Sequence, residues 1–151
     1  MRKTQVRSML DQVREFRGQL DEYYSRLSDT ATQQRVKMLL DYMASHERNL
    51  QKSMAEYEES ASRYVMDTYV DCKYCDEILA TCQRTPIAPE MSLDGVVKVA
   101  MDVDHCLLRF YREVAGNTES EVVREVFRNL IDAEEAELRK LALNALGALD
   151  I

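Results

Sequence analysis

Six titratable side chains stand on or beside apolar helical stripes, where a solvated helix would carry leucine or valine. Glu134 and Glu137 lie one turn apart between Leu130 and Leu141, near the middle of one stripe. His46 and Glu47 flank a second stripe, on either side of the line from Met43 to Leu50. Asp104 sits on the edge of a third stripe, seven residues before Tyr111, and Arg17 stands seven before Tyr24 on a fourth. Burying carboxylates costs several kcal/mol, on the order of a lost hydrogen bond or more, unless a metal, an arginine or a shared proton compensates them. Two chemistries therefore compete. Glu47, His46, Asp104, Glu134 and Glu137 offer the hard oxygens and imidazole that bind iron or another divalent metal. Arg17 carries a permanent charge, repels such an ion, and can pair two carboxylates itself.

The other chemistry-bearing residues are less ordered in pattern. Cys72-Lys-Tyr-Cys75 has redox or half-zinc spacing, with Cys82, Cys106 and His105 as the remaining candidate ligands. Read plainly, Cys75 and Cys82 are small apolar residues that pack a connecting segment, and the thiols are reduced. The eight tyrosines fall mostly beside apolar neighbours and read as core or interface residues. Glu58-Glu59 reads as solvated helix surface. No nucleophile–base pair, phosphate loop or HExxH is present.

The elements that must carry these residues are helices. Four glycines and two prolines in 151 residues supply too few reversals for a sandwich or a Rossmann sheet. Apolar residues recur from Val6 to Leu27, from Val36 through Tyr57 to Tyr64, from Val96 to Val114, and from Val123 to Ala145. The first helix ends near Ser28-Asp29-Thr30. Cys75, Ile78, Leu79 and Cys82 share a face, either as the end of the second helix or as a short extra one. The stretch from Arg84 to Glu90, with both prolines, is the one strong breaker, and Ser92 then reads as an N-cap. Gly116-Asn117 reads as a C-terminal stop, and Thr118 with Glu121 as a capping box. The expectation is a single all-α domain over 1–151, with one hairpin at 3–66, a crossover at 67–92 and a second hairpin at 93–148. A gapless shift of 87 positions superposes the halves, placing Leu20 on Leu107, Tyr24 on Tyr111, Glu47 on Glu134 and Arg17 on Asp104.

The segments LLDYMASHERNL and DHCLLRFYREVAGNTESEVVREVFRNLIDAEEAELRKL resemble the half-motifs of the ferritin-like superfamily, in its rubrerythrin-like branch. That motif is a glutamate, a tyrosine seven residues on, and a Glu-x-x-His pair on the next helix. The resemblance covers essentially the whole chain, in pattern more than identity. It implies a ferritin-like four-helix bundle of two hairpins, with each hairpin supplying ligands to a pair of irons. Asp104 then takes a glutamate position, Glu134 and Glu137 the Glu-x-x-His pair, Arg17 the first hairpin's glutamate, and Leu50 its histidine. Only Glu47 and Glu134 keep the family residue, so the di-metal motif is degenerate. His46 lies beside the stripe, where a local shift would bring it in.

The net charge of −7 offers no broad nucleic-acid surface, and no apolar run reaches the length of a membrane span. The basic start MRKTQVRSMLDQVREF lacks an apolar core, so the expected location is cytoplasmic, without a secretory leader. The expected function is an interaction or regulatory module without a working di-iron centre or other cofactor, acting as a homodimer or on a protein partner. The alternative is an iron-binding, rubrerythrin-like oxidoreductase in oxidative-stress defence.

Overall fold

The structure of the chain, a computed structural model, describes residues 3–84 and 92–149, with side chains of the last helix described to Leu143. The proline-containing breaker expected at 84–90 lies almost wholly outside these residues. Six helices and two short strands follow one another: β1 (Lys3–Gln5), α1 (Val6–Thr30), α2 (Gln34–Ser60), α3 (Arg63–Asp67), β2 (Tyr69–Asp71), α4 (Cys75–Gln83), α5 (Leu93–Asn117) and α6 (Glu121–Leu149). Among the described residues the fold is all-α apart from the two three-residue strands.

α1 forms where the sequence places it, because its apolar residues at Val6, Met9, Leu10, Val13, Phe16, Leu20 and Tyr24 make one stripe and all are buried. It has no side-chain N-cap; the Val6 amide instead donates to the Thr68 carbonyl at 3.0 Å. The turn into α2 uses no glycine. Ser28 is buried, donates from its hydroxyl to Asp41, and receives Lys37 Nζ on both its carbonyl and its Oγ. The bond from Lys37 satisfies the Ser28 carbonyl, which the helix end would otherwise leave without its intrahelical partner.

The second helix stops earlier than its stripe suggests. Ala61 turns extended, and Ser62 caps the separate α3 through the Val65 amide. Tyr64, beyond that stop, is exposed, and so is Tyr57 within α2; neither is a core residue. The expected extra helix is α4. The first hairpin and the crossover are also not purely helical, since β1 pairs antiparallel with β2 and ties the chain start to the crossover.

At the start of α5, Ser92 caps as expected, accepting the Gly95 amide at 3.2 Å. Its end differs. Gly116 is helical, without a positive φ, so it does not stop the helix. Arg124 closes the end instead, donating to the Ala115 and Thr118 carbonyls. The cap of α6 is Ser120, two residues beyond the predicted Thr118; its Oγ accepts the Val123 amide, while Thr118 Oγ accepts the Ser120 amide.

α1 packs on α2, α5 on α6, α4 on α5, and α2 on α6. The repeat-related pairs Tyr24/Tyr111, Glu47/Glu134 and Arg17/Asp104 are all buried. Glu58, expected on the solvated surface, is partly buried, ion-paired to Arg14 at 2.6 Å, and hydrogen-bonded to Asp11.

The four cysteines are not separate reduced thiols. Cys72 is bonded to Cys75, joining the end of β2 to the start of α4, and Cys82 is bonded to Cys106, joining α4 to α5. The Cα separations of 5.5 and 5.6 Å are those of ordinary disulfides. The packing of α4 on α5 makes the second pair, across 24 positions of sequence that carry no local signal. The expectation of a reducing compartment loses the support it drew from free thiols.

Candidate functional site: a buried arginine among carboxylates

Arg17 is the largest of the most deeply buried side chains, at 2% exposure. Its guanidinium reaches three elements. Nη1 donates to Glu47 Oε2 of α2 at 2.9 Å; Nη2 donates to Glu134 Oε2 of α6 at 2.6 Å and to the Tyr111 hydroxyl of α5 at 3.2 Å. Burial opposes its charge, but the oxygens of Tyr111, Glu134, Glu47 and Asp104 outweigh that and raise its pKa above the ordinary value. The arginine is a fixed cation whose fork joins both hairpins.

Asp104 completes the group from α5. Its carboxyl is buried and hydrogen-bonded to Glu134. Burial, then the charges of Glu134 and Glu47, push its pKa well above the usual carboxylate range, with Arg17 opposing. Glu134 Oε1 is buried and receives no donor from the neighbouring groups. Glu47 is likewise pushed up by burial, with Arg17 opposing. Tyr111 has its hydroxyl pKa raised to about 12, first by burial, and stays a neutral acceptor for Arg17.

A second, smaller group adjoins it on the α2–α6 seam. Glu137 Oε1 accepts the Tyr42 hydroxyl at 3.0 Å, and its Oε2 lies 3.3 Å from His46 Nδ1. Burial, then the Arg17 charge, lowers the His46 pKa to about 4. A neutral imidazole that donates from Nδ1 to Glu137 fits this geometry, and leaves Nε2 buried without a partner. The Tyr42 and His46 rings lie nearly parallel, 6.5 Å apart.

Glu47, Asp104 and Glu134 therefore converge as the sequence suggests, but on Arg17. His46 and Glu137 pair with each other, one step aside. Sequence reasoning took the tyrosines as packing and missed two polar partners. Tyr111 was legible from its seven-residue spacing after Asp104; Tyr42, four residues before His46, had the signal of one helical turn.

A di-metal centre does not fit this donor set. The guanidinium occupies two of the carboxylates, and no cluster of three His, Cys, Asp or Glu suited to a metal occurs among the described residues. What fold and site define is a class: an all-α chain with a buried arginine–carboxylate centre shared by two helical hairpins. No family model, curated protein or solved structure matches the chain. No helix among the described residues is long and apolar enough to cross a membrane.

Proposed function

We propose that the chain is a ferritin-like bundle in which an arginine–carboxylate network stands in place of a di-iron centre, and that it works as an interaction or regulatory module, as a homodimer or on a protein partner. The observation that carries this reading is Arg17, which bridges Glu47 and Glu134 from the position where the resemblance expects a ligand. An arginine there supplies what a metal supplies structurally, a cation that compensates buried carboxylates, but no open coordination position for oxygen or peroxide. The oxidoreductase alternative draws no support from this donor set.

Metal analysis of protein expressed with iron supplementation tests the reading. It predicts substoichiometric metal, unaffected by Glu134→Ala. Iron at one or two equivalents per chain, lost in Glu134→Ala, contradicts it.

A further inference from the structure

One cavity lies away from the buried centre, at the end of the molecule where β1 and β2 pair. Its volume is about 530 Å³, within the roughly 300–1,000 Å³ of ordinary ligand clefts. β2 forms one wall and the 117–120 turn between α5 and α6 forms another.

The register fixes which edge of β2 is unpaired. Thr4 pairs with Val70, and the Val6 amide donates to the Thr68 carbonyl in the same ladder. Bonded pairs alternate along an antiparallel ladder, so Val70 turns its N–H and C=O toward β1. Tyr69 and Asp71 turn theirs the other way, to the free edge. Val70 is buried, while Tyr69 is 60% exposed and Tyr64, also on the cavity wall, is 73% exposed. Asp71, half-buried, lines the same cavity. The charged residues on the wall are Lys3, Asp71 and Glu119, giving a net negative cleft on a chain of net charge −7.

We infer that this cleft binds an extended, basic segment of a partner protein, added to β2 as a third strand. The backbone of Tyr69 and Asp71 pairs with the incoming strand, as in other strand-addition complexes. An arginine or lysine of that strand donates to Asp71, and Tyr64 and Tyr69 cover its aliphatic stem and cationic head. The cleft favours a peptide over a second copy of the chain because a walled cavity admits a single strand, whereas edge-to-edge pairing of two copies wants a flat, open edge. The inference deepens the interaction reading above and rests on it; metal content tests the centre, and peptide binding tests this cleft, so the two fail separately.

The test is fluorescence anisotropy of the full chain with a labelled peptide of alternating arginine and valine. Saturable binding is expected, weakened about tenfold or more by N-methylation of alternate peptide amides, the loss of one or two backbone hydrogen bonds. Replacing the arginines by glutamate is expected to abolish binding. Tyr69→Ala and Asp71→Asn, both away from the core and checked for helicity, are each expected to weaken it severalfold. Equal binding of the N-methylated peptide would show charge attraction alone and overturn the inference, as would no saturation or indifference to both substitutions. A dimer by light scattering that Tyr69→Ala dissociates, and that the peptide does not compete with, would assign the edge to a second copy and also overturn it.

Discussion

Arg17 Nη2 lies 2.6 Å from Glu134 Oε2, joining residues 117 positions apart and on different hairpins. The internal repeat sharpens what this contact means. Glu47 and Glu134 are equivalent positions of the two halves, and Arg17 and Asp104 are another such pair. One pair is alike, while the other carries a cation on one side and a carboxyl with a raised pKa on the other. The two halves therefore make an asymmetric, ion-paired centre.

Asp104→Asn should leave the chain as stable at pH 7 as the parent, or more so, because an amide replaces the protonated carboxyl as donor to Glu134. The folded pKa of Asp104 is raised, so the native state holds a proton that the unfolded chain has released. Stability from this residue is therefore present at low pH and falls as pH rises above about 3.8. Urea midpoints at pH 5 and pH 8 should differ less in the variant. An equal or larger difference would show that Asp104 is ionised in the folded chain.

His46 should stay neutral down to about pH 4. Its folded pKa is lowered, so the unfolded chain takes up a proton first as pH falls below 6.5, and stability drops between there and 4. Ring-proton NMR is expected to show His46 unchanged between pH 8 and 5.5. A midpoint near 6.5 would contradict its placement on the α2–α6 seam.

Gly116→Ala should stabilise the chain by about 0.5–1 kcal/mol, the ordinary gain for a helical glycine. The position is helical, without a positive φ, and an added Cβ meets nothing within 4 Å. Destabilisation in a urea titration would restore Gly116 as a helix-terminating residue.

No thiol should react with alkylating reagent in the unfolded, unreduced chain, and all four should react after reduction. Opening Cys82–Cys106, which spans 24 positions, should cost about 3 kcal/mol by the loop-entropy account. Cys82→Ala/Cys106→Ala, compared with the oxidised parent, measures it; free thiols in the parent would remove both pairings.

The helical stripes were legible because burial on one helix is periodic, as with Val6 to Leu27. So were the candidate site residues, since a charge inside a stripe stands out: Arg17, Glu47, Asp104, Glu134 and Glu137 are all buried. What could not be read was who meets whom across the chain. The β1–β2 pairing and the Cys82–Cys106 bond join segments with no local signal of one another. The ends of α2 and α5 were misplaced because polar contacts, rather than the apolar pattern, set them: Ser62 accepts the Val65 amide to start α3, and Arg124 donates to the Ala115 and Thr118 carbonyls.

A double-mutant cycle on Arg17 and Glu134 tests the ion-paired centre most directly. Arg17→Met alone should cost about 3–5 kcal/mol, since it leaves Glu47 and Glu134 buried without a cation. Adding Glu134→Gln should restore part of that loss, with a coupling of about 1–3 kcal/mol and no response to ferrous iron or EDTA. A coupling near zero, with a parent chain that iron stabilises and Glu134→Gln makes indifferent to it, would contradict the arginine–carboxylate centre.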